Sequence, residues 1–300
     1  MTIDLKSLEL FVRAAQIGAI GKAGEEVNLS RTASTERIQG LEKAIGVQLF
    51  HRTTRTLSLS SEGEIFLMHA KRILENVEDA YSDLQGNPST VKGELRIASS
   101  ASFGRMYIAP YLSEFLNNFP GISIQLSLSD TTIDLVNGGF DLSIRLGELA
   151  PSSLKARRLA ASQRIVVAAP EYINQNGMPA SPKELAKHNC LMRGDVRTWK
   201  LRDRNGKIAD YKVTGNFTSD SAEAITEATI SGLGIARKCQ WEITEQLKAG
   251  QLIQLFDDHT VMPEWSVFAV RSPSDHSPAR VRVFSEFLKT KYQSVKSLSF

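Results

Sequence analysis

The sequence predicts a mixed α/β protein: an N-terminal winged helix-turn-helix domain, one long helix, and a larger domain on an open α/β sheet. Three observations predict this. Residues 18–60 set two short helical patterns around Asn28-Leu29-Ser30, then two alternating half-strands around a basic turn. Residues 64–85 contain no proline or glycine and carry Phe66, Ala70, Ile73, Val77, Ala80 and Leu84 at heptad spacing. From Glu94 onward, strand-like and helix-like segments alternate.

The chain opens with a helix over Leu5 to Gln16. Asp4 is a plausible cap, and Leu8, Phe11, Val12 and Ala15 share a face with Leu5. A short helix is expected over Ile20 to Val27. Ser30 is a good N-cap for a second, over Arg31 to Ala44, because its hydroxyl can accept an orphan N–H. Ala33, Ile38, Leu41 and Ile45 form the inner face of that helix. The opposite face carries Arg31, Thr32, Thr35, Glu36 and Gln39. Short or planar polar heads of this kind read base edges in a major groove, although any solvated helix also has a polar face. Val47 to Leu59 then reads as a hairpin wing whose turn holds Arg52, Thr53 and Arg55.

Ser60 and Ser61 open the next helix, which runs to Gln85. Its 25 residues make a rod of about 37 Å. The apolar seam suits pairing with a second copy, or packing within its own domain. Gly86-Asn87-Pro88 ends it in a linker. Beyond lie an expected strand at Glu94–Ser99, a helix at Arg105–Phe119, a strand at Ile122–Ser129, a short helix at Ile133–Asn137 and a buried strand at Phe140–Arg145. A second set starts at Arg164, with helices at Pro170–Asn176, Pro182–Lys187, Ala222–Ser231 and Gln240–Lys248. Strand-like stretches lie at Trp199–Leu201 and Asn216–Thr218. Trp265–Val270 is a late strand, and Ala279–Tyr292 a terminal helix.

The stretch from Leu10 to Glu64 resembles the N-terminal domain of LysR-type transcriptional regulators. Its most specific part reads LE-x-x-x-G-V-x-LF-x-RT-x-R-x-x-x-L-S-x-x-G, from Leu41 to Gly63. The similarity continues more weakly to about Phe287. Three positions depart from the family pattern: Gly21 where Ser or Thr usually starts the first motif helix, Ser34 where an apolar residue is usual, and Glu36 where a basic one is common. The expected consequences are a weak cap, some lost packing and an unusual operator, since a carboxylate can accept from cytosine N4.

The resemblance implies a DNA-binding domain over 1–60, a dimerisation helix and hinge over 61–90, and a two-lobed effector-binding domain over 91–300, built like a small periplasmic binding protein. Lobe I takes 91–162 and 267–300, and lobe II 163–266, with crossings near Ala161–Arg164 and Ser266–Phe268. The expected DNA contacts are Ser30, Arg31, Thr32, Thr35, Glu36, Gln39, Arg52, Thr53 and Arg55. Phe66, Ala70, Ile73, Val77, Ala80 and Leu84 are expected to pair protomers, and dimers to assemble into a homotetramer.

Ligands in open α/β sheets sit at the carboxyl ends of strands. The first strand here ends in Ser99-Ser100-Ala101-Ser102-Phe103-Gly104, leading into a helix whose free N–H groups could hold a carboxylate. Ser99, Ser100, Ser102, Phe103, Thr131, Arg145 and Arg193 are the candidate effector contacts, with Asp130 and Gly147 nearby. Asp220, within Ser219-Asp220-Ser221, reads as a helix cap. The expected effector is a small carboxylate or aromatic metabolite.

Composition bounds the rest. The 300 residues are 42% hydrophobic and 23% charged, with a net charge of +3. The basic excess is local: Arg31, Arg37, Lys43, Arg52 and Arg55 stand against Glu36 and Glu42. The N-terminal apolar pattern is interrupted by charges, so no signal peptide is expected, and no run suits a membrane span. A cytoplasmic protein with reduced Cys190 and Cys239 follows. His51, His69, His188, His259 and His276 lack metal-ligand spacing. No nucleophile elbow or phosphate loop appears. The reading calls for no enzyme activity, metal or cofactor. Its partners are double-stranded DNA, a small-molecule effector and further copies of itself. The alternative is a cytosolic solute-binding protein or an enzyme with a helical oligomerisation module.

Overall fold

The computed structural model describes residues 3–52, 57–85, 91–131, 135, 138–273 and 277–298, with the backbone alone at 52, 79 and 82–85. The chain forms two compact units, Met1–Gly93 and Glu94–Phe300.

In the first unit, α1 spans Leu5–Ile17. The Asp4 carboxylate accepts the Ser7 N–H at 2.9 Å, and Gly18 closes the helix at φ 71°. Next come α2 (Ile20–Glu26) and α3 (Arg31–Ile45). The antiparallel pair β1 (Phe50–Arg52) and β2 (Leu57–Leu59) follows, with Phe50 opposite Leu59. The long α4 runs Ser61–Gln85. Ser60 joins wing to helix: its hydroxyl accepts from Gly63 N–H at 2.9 Å and donates to the Gln48 carbonyl at 2.6 Å.

The core gathers Leu8, Leu10, Phe11, Val12, Ala23, Ile38, Leu41, Leu49, Phe50 and Ala70. The expected inner face of α1 is shifted. Leu5 is exposed, whereas Leu10 and Ala14 are buried. The reason is that α1 packs against α2 and α3 on one side and α4 on another, so its buried face is wide. Phe11 touches Phe50 and Phe66 with ring centroids 5.3 and 5.2 Å away.

The second unit starts with β3 (Gly93–Ser99) and α5 (Ala101–Tyr107). A 3₁₀ turn at Ala109–Tyr111 precedes α6 (Leu112–Asn118). The single helix expected over Arg105–Phe119 is therefore broken, because Pro110 has no N–H to continue it. Then come β4 (Ile122–Leu128), β5 (Leu142–Gly147) and β6 (Lys155–Ser162). The helix expected at Ile133–Asn137 lies largely outside the described residues.

Past Gln163 the chain enters β7 (Arg164–Ala168), α7 (Pro170–Asn176), β8 (Cys190–Arg193), β9 (Thr198–Arg202), β10 (Ile208–Lys212), β11 (Thr218–Ser219), α8 (Ala222–Ile230), β12 (Ile235–Cys239), α9 (Thr244–Lys248), β13 (Ile253–Leu255) and β14 (Thr260–Met262). Finally β15 (Trp265–Arg271) and α10 (Ala279–Gln293) return to the first sheet and its covering layer. Pro182–Lys187 is a 3₁₀ helix.

Two five-stranded sheets organise the unit, in the orders β4-β3-β5-β15-β6 and β11-β8-β12-β7-β13, with a small sheet β10-β9-β14 beside the second. The chain passes between the large sheets at Gln163 and again at Pro263–Glu264. The second passage is a few residues earlier than expected, because Ser266 to Val270 already pair with β5. These two sheets are the lobes of the unit.

Candidate functional site

Ser30 accepts the Ala33 N–H at 3.2 Å and so starts α3. Four side chains extend along the outer side of the helix: Arg31, Thr32, Glu36 and Gln39 are all exposed. Thr35 is half-buried and its hydroxyl donates to the Arg31 carbonyl at 3.1 Å. Arg31 is tethered loosely to Glu25 at 3.5 Å. Its aliphatic stem crosses Gly21, where an added Cβ would come 3.2 Å from Arg31 Cγ. The cap position of α2 is Ala19, with no side-chain hydrogen bond. Gly21 thus lies within the helix and leaves room for Arg31.

Ser34 was expected to cost packing. Instead its small side chain is matched by Gly24, where a Cβ would fall 1.9 Å from Ser34 Oγ, and its hydroxyl donates to the Ser30 carbonyl at 2.7 Å. Small residues on both helices allow the close approach of α2 and α3. Two charged residues of α3 are structural. Arg37 pairs with Asp4 at 2.6 Å, and the Glu42 carboxylate accepts the Leu49 and Phe50 N–H groups at 2.9 and 3.2 Å, binding α3 to the wing. Thr53 and Arg55, and the side chain of Arg52, lie outside the described residues.

On α4 the expected seam divides. Ala70 is fully buried and Phe66 packs on Phe11, so both belong to the core of this unit. Farther along, Ile73 and Ala80 are exposed and Val77 half-buried, and with Asn76 and Tyr81 they line a shallow apolar groove. Ile65, Met68 and Tyr81 are exposed as well, which heptad counting missed. The side chain of Leu84 lies outside the described residues.

In the second unit a cavity of about 730 Å³ lies between the lobes. Of the candidate effector contacts, Ser99, Ser100, Ser102, Thr131, Arg145 and Arg193 line it. The Ser99 and Ser102 hydroxyls are buried and have no hydrogen-bond partner. Arg145 Nε donates to Ser143 Oγ at 3.4 Å, and Arg193 Nε to the Asp220 carbonyl at 3.2 Å. Phe103 does not line the cavity. It faces inward and packs on Tyr107, Trp241 and Tyr292, with centroids 5.0–5.6 Å away. It directly follows Ser102 on α5, and that one-residue step of about 100° turns its ring away from the cleft. Nor are all the α5 N–H groups open, since Asp130 Oδ1 accepts from Ala101 at 3.2 Å. Ser221, not Asp220, caps α8, accepting the Ala224 N–H at 3.3 Å.

Trp241, Trp265 and Glu242, which the sequence did not single out, and the thiol residue Cys239 also line the cavity. They converge only because β12, the turn after it and the return strand meet at the lobe boundary. Glu242 pairs with the buried Lys238 at 2.9 Å. Both thiols are buried and unlinked, and burial pushes each up to about 12. Among the described residues no helix is long and apolar enough to cross a membrane.

Residues 5–64 match the family described as bacterial regulatory helix-turn-helix protein, lysR family, and residues 88–293 match the LysR substrate binding domain. The chain is 33% identical over 290 residues to the HTH-type transcriptional regulator DmlR of Escherichia coli (strain K12), covering 95% of this chain and 93% of DmlR. It is similar to the solved structure of CrgA, a LysR-type transcriptional regulator from Neisseria meningitidis. That match has 31% identity and TM-score 0.60, and covers 97% of this chain and 99% of CrgA. The full-length structure of AphB, the Vibrio cholerae virulence activator, matches at 26% identity and TM-score 0.59, covering 95% and 98% of the two chains.

Proposed function

The chain belongs to the LysR-type transcriptional regulators, DNA-binding proteins with an effector-binding domain, and from that premise we propose how its residues divide the work. The observation that carries the proposal is the exposed polar side of α3, set behind a Ser30 cap and braced to the wing through Glu42. Arg31, Thr32, Glu36 and Gln39 read base edges in the major groove, while Ser30 and Thr35 hold the helix start. Arg52, Thr53 and Arg55 grip phosphates from the wing.

The apolar groove of α4 lined by Ile73, Val77 and Ala80 pairs two protomers, with Leu84 expected to extend the pairing, and dimers assemble into a tetramer. Two-fold protein symmetry then matches a two-fold operator. The segments 1–60, 61–90 and 91–300 serve as reader, coupler and sensor, in the cytoplasm and without enzyme activity. The effector is a small polar molecule with an anionic group. Ser99, Ser102 and the Arg145 and Arg193 guanidinium groups supply what it needs, because buried hydroxyls without partners favour a ligand that satisfies them. Its binding shifts the population between two assemblies by differential affinity.

A mobility shift with operator duplex at two salt concentrations tests the reading. Affinity should fall steeply with salt. Arg31→Ala should weaken sequence preference, and Arg55→Ala should weaken binding to all duplexes alike. Unchanged DNA affinity in both variants would refute it.

A further inference from the structure

Arg164 opens β7 immediately after the first passage between the lobes, and it is 6% exposed. One of its Nη groups donates to the Pro263 carbonyl, on the return passage, at 2.6 Å. Its guanidinium lies over the Trp265 ring, 4.1 Å from the centroid. Its Nε has no acceptor. On the adjacent β12, Cys239 stands opposite Arg164 and Arg237 opposite Val166. Arg237 therefore projects from the same face of the sheet, one diagonal step away. It is half-buried, with its guanidinium 5.8 Å from the centroid of Trp199.

Two cations thus stand on one face of the sheet, each beside a tryptophan ring. Among the described residues no carboxylate pairs with either. The nearby Glu242 is committed to Lys238. Burial, with repulsion from Arg237 added to it, brings Arg164 down to about 10, so it stays charged at neutral pH. Arginine does not shed its proton to escape such a site, so an anion taken up from solution would relieve the repulsion. Neither arginine lines the cavity between the lobes.

We propose that Arg164 and Arg237 form a second binding site, at the junction of the lobes, for a small inorganic anion such as chloride or phosphate. The anion accepts from Arg164 Nε and from the Arg237 guanidinium. Because Arg164 also holds Pro263 and Trp265, occupancy ties the two passages between the lobes together.

The test uses the full chain and follows unfolding by tryptophan fluorescence. At fixed ionic strength, a bulky organic anion is exchanged for chloride or for phosphate. The wild-type midpoint should rise by several degrees with at least one of the two, and which one responds identifies the anion. Arg237→Met should lose that rise and be at least as stable as wild type in the bulky anion, where it relieves repulsion. Arg237→Lys should keep part of the rise. Where chloride is the responder, chloride-35 line broadening should also fall in Arg237→Met relative to wild type. The site is ruled out if neither anion shifts the wild type, if Arg237→Met keeps the full shift, or if that variant is destabilised equally in every anion.

Discussion

Asp130 and Arg193 face each other across the cavity at 3.8 Å, one from each lobe. The same carboxylate accepts the Ala101 N–H at the start of α5. Asp130 thus holds the place that an incoming carboxylate would take. Asp130→Asn keeps an oxygen for Ala101 but removes the competing charge. Its affinity for small carboxylic acids should rise on the order of tenfold over wild type by isothermal titration. Equal or weaker binding across an acid panel would mean that the anionic group of the effector sits elsewhere.

The Ser99 and Ser102 hydroxyls are buried without partners. A buried hydroxyl left unsatisfied costs roughly 1–3 kcal/mol. Ser99→Ala and Ser102→Ala should each stabilise the free protein by about 1 kcal/mol while weakening ligand binding. Urea unfolding reads this cleanly, since Trp199, Trp241 and Trp265 are the only tryptophans and all lie in the second unit. Loss of stability in both variants would show that the hydroxyls already have structural work.

These two sites show what was legible in the sequence. Ser30 and the 25-residue α4 declare themselves through a cap and periodicity, which are local. The serine-rich start of α5 reads as a cleft for the same reason. Trp241, Trp265 and Glu242 could not be found that way, because their convergence depends on how β12 and β15 pair across the fold. The edge strand β6 was missed because its first half, Lys155 to Arg158, is polar and exposed, and so lacks the buried alternation that marks a strand. Phe66 and Ala70 fit a heptad seam equally well as core or as interface. Only the position of Phe11 decides between the two.

Burial raises Cys190 and Cys239 from the ordinary 9.0 to about 12. The folded state therefore favours the neutral thiols. Their contribution to stability is complete below about pH 9 and is lost as pH rises from there towards 12. At pH 8 neither should react with a thiol reagent at more than a small fraction of the rate of the unfolded chain. Stopped-flow labelling in native buffer and in urea measures the ratio. Fast labelling of Cys239 in the native state would reveal an open path through the cavity wall.

Glu36 is the residue on α3 most open to a decisive test. It is exposed on the same side as Arg31, Thr32 and Gln39, and carries the one carboxylate among them. A carboxylate is repelled by phosphate, so at a base edge it can act only as an acceptor, and cytosine N4 is the donor that fits. Glutamine has the same length, loses the charge and pairs well with adenine. Glu36→Gln should therefore bind mixed-sequence DNA more tightly, and should change the preferred base at one position of each half-site. Arg31→Ala, by contrast, should cost roughly 1–3 kcal/mol of discrimination at a neighbouring position, where a bidentate contact to guanine is lost. Sites selected from a random duplex pool, compared among wild type and the two variants, give both answers. An identical consensus for all three proteins would place this side of α3 away from the bases.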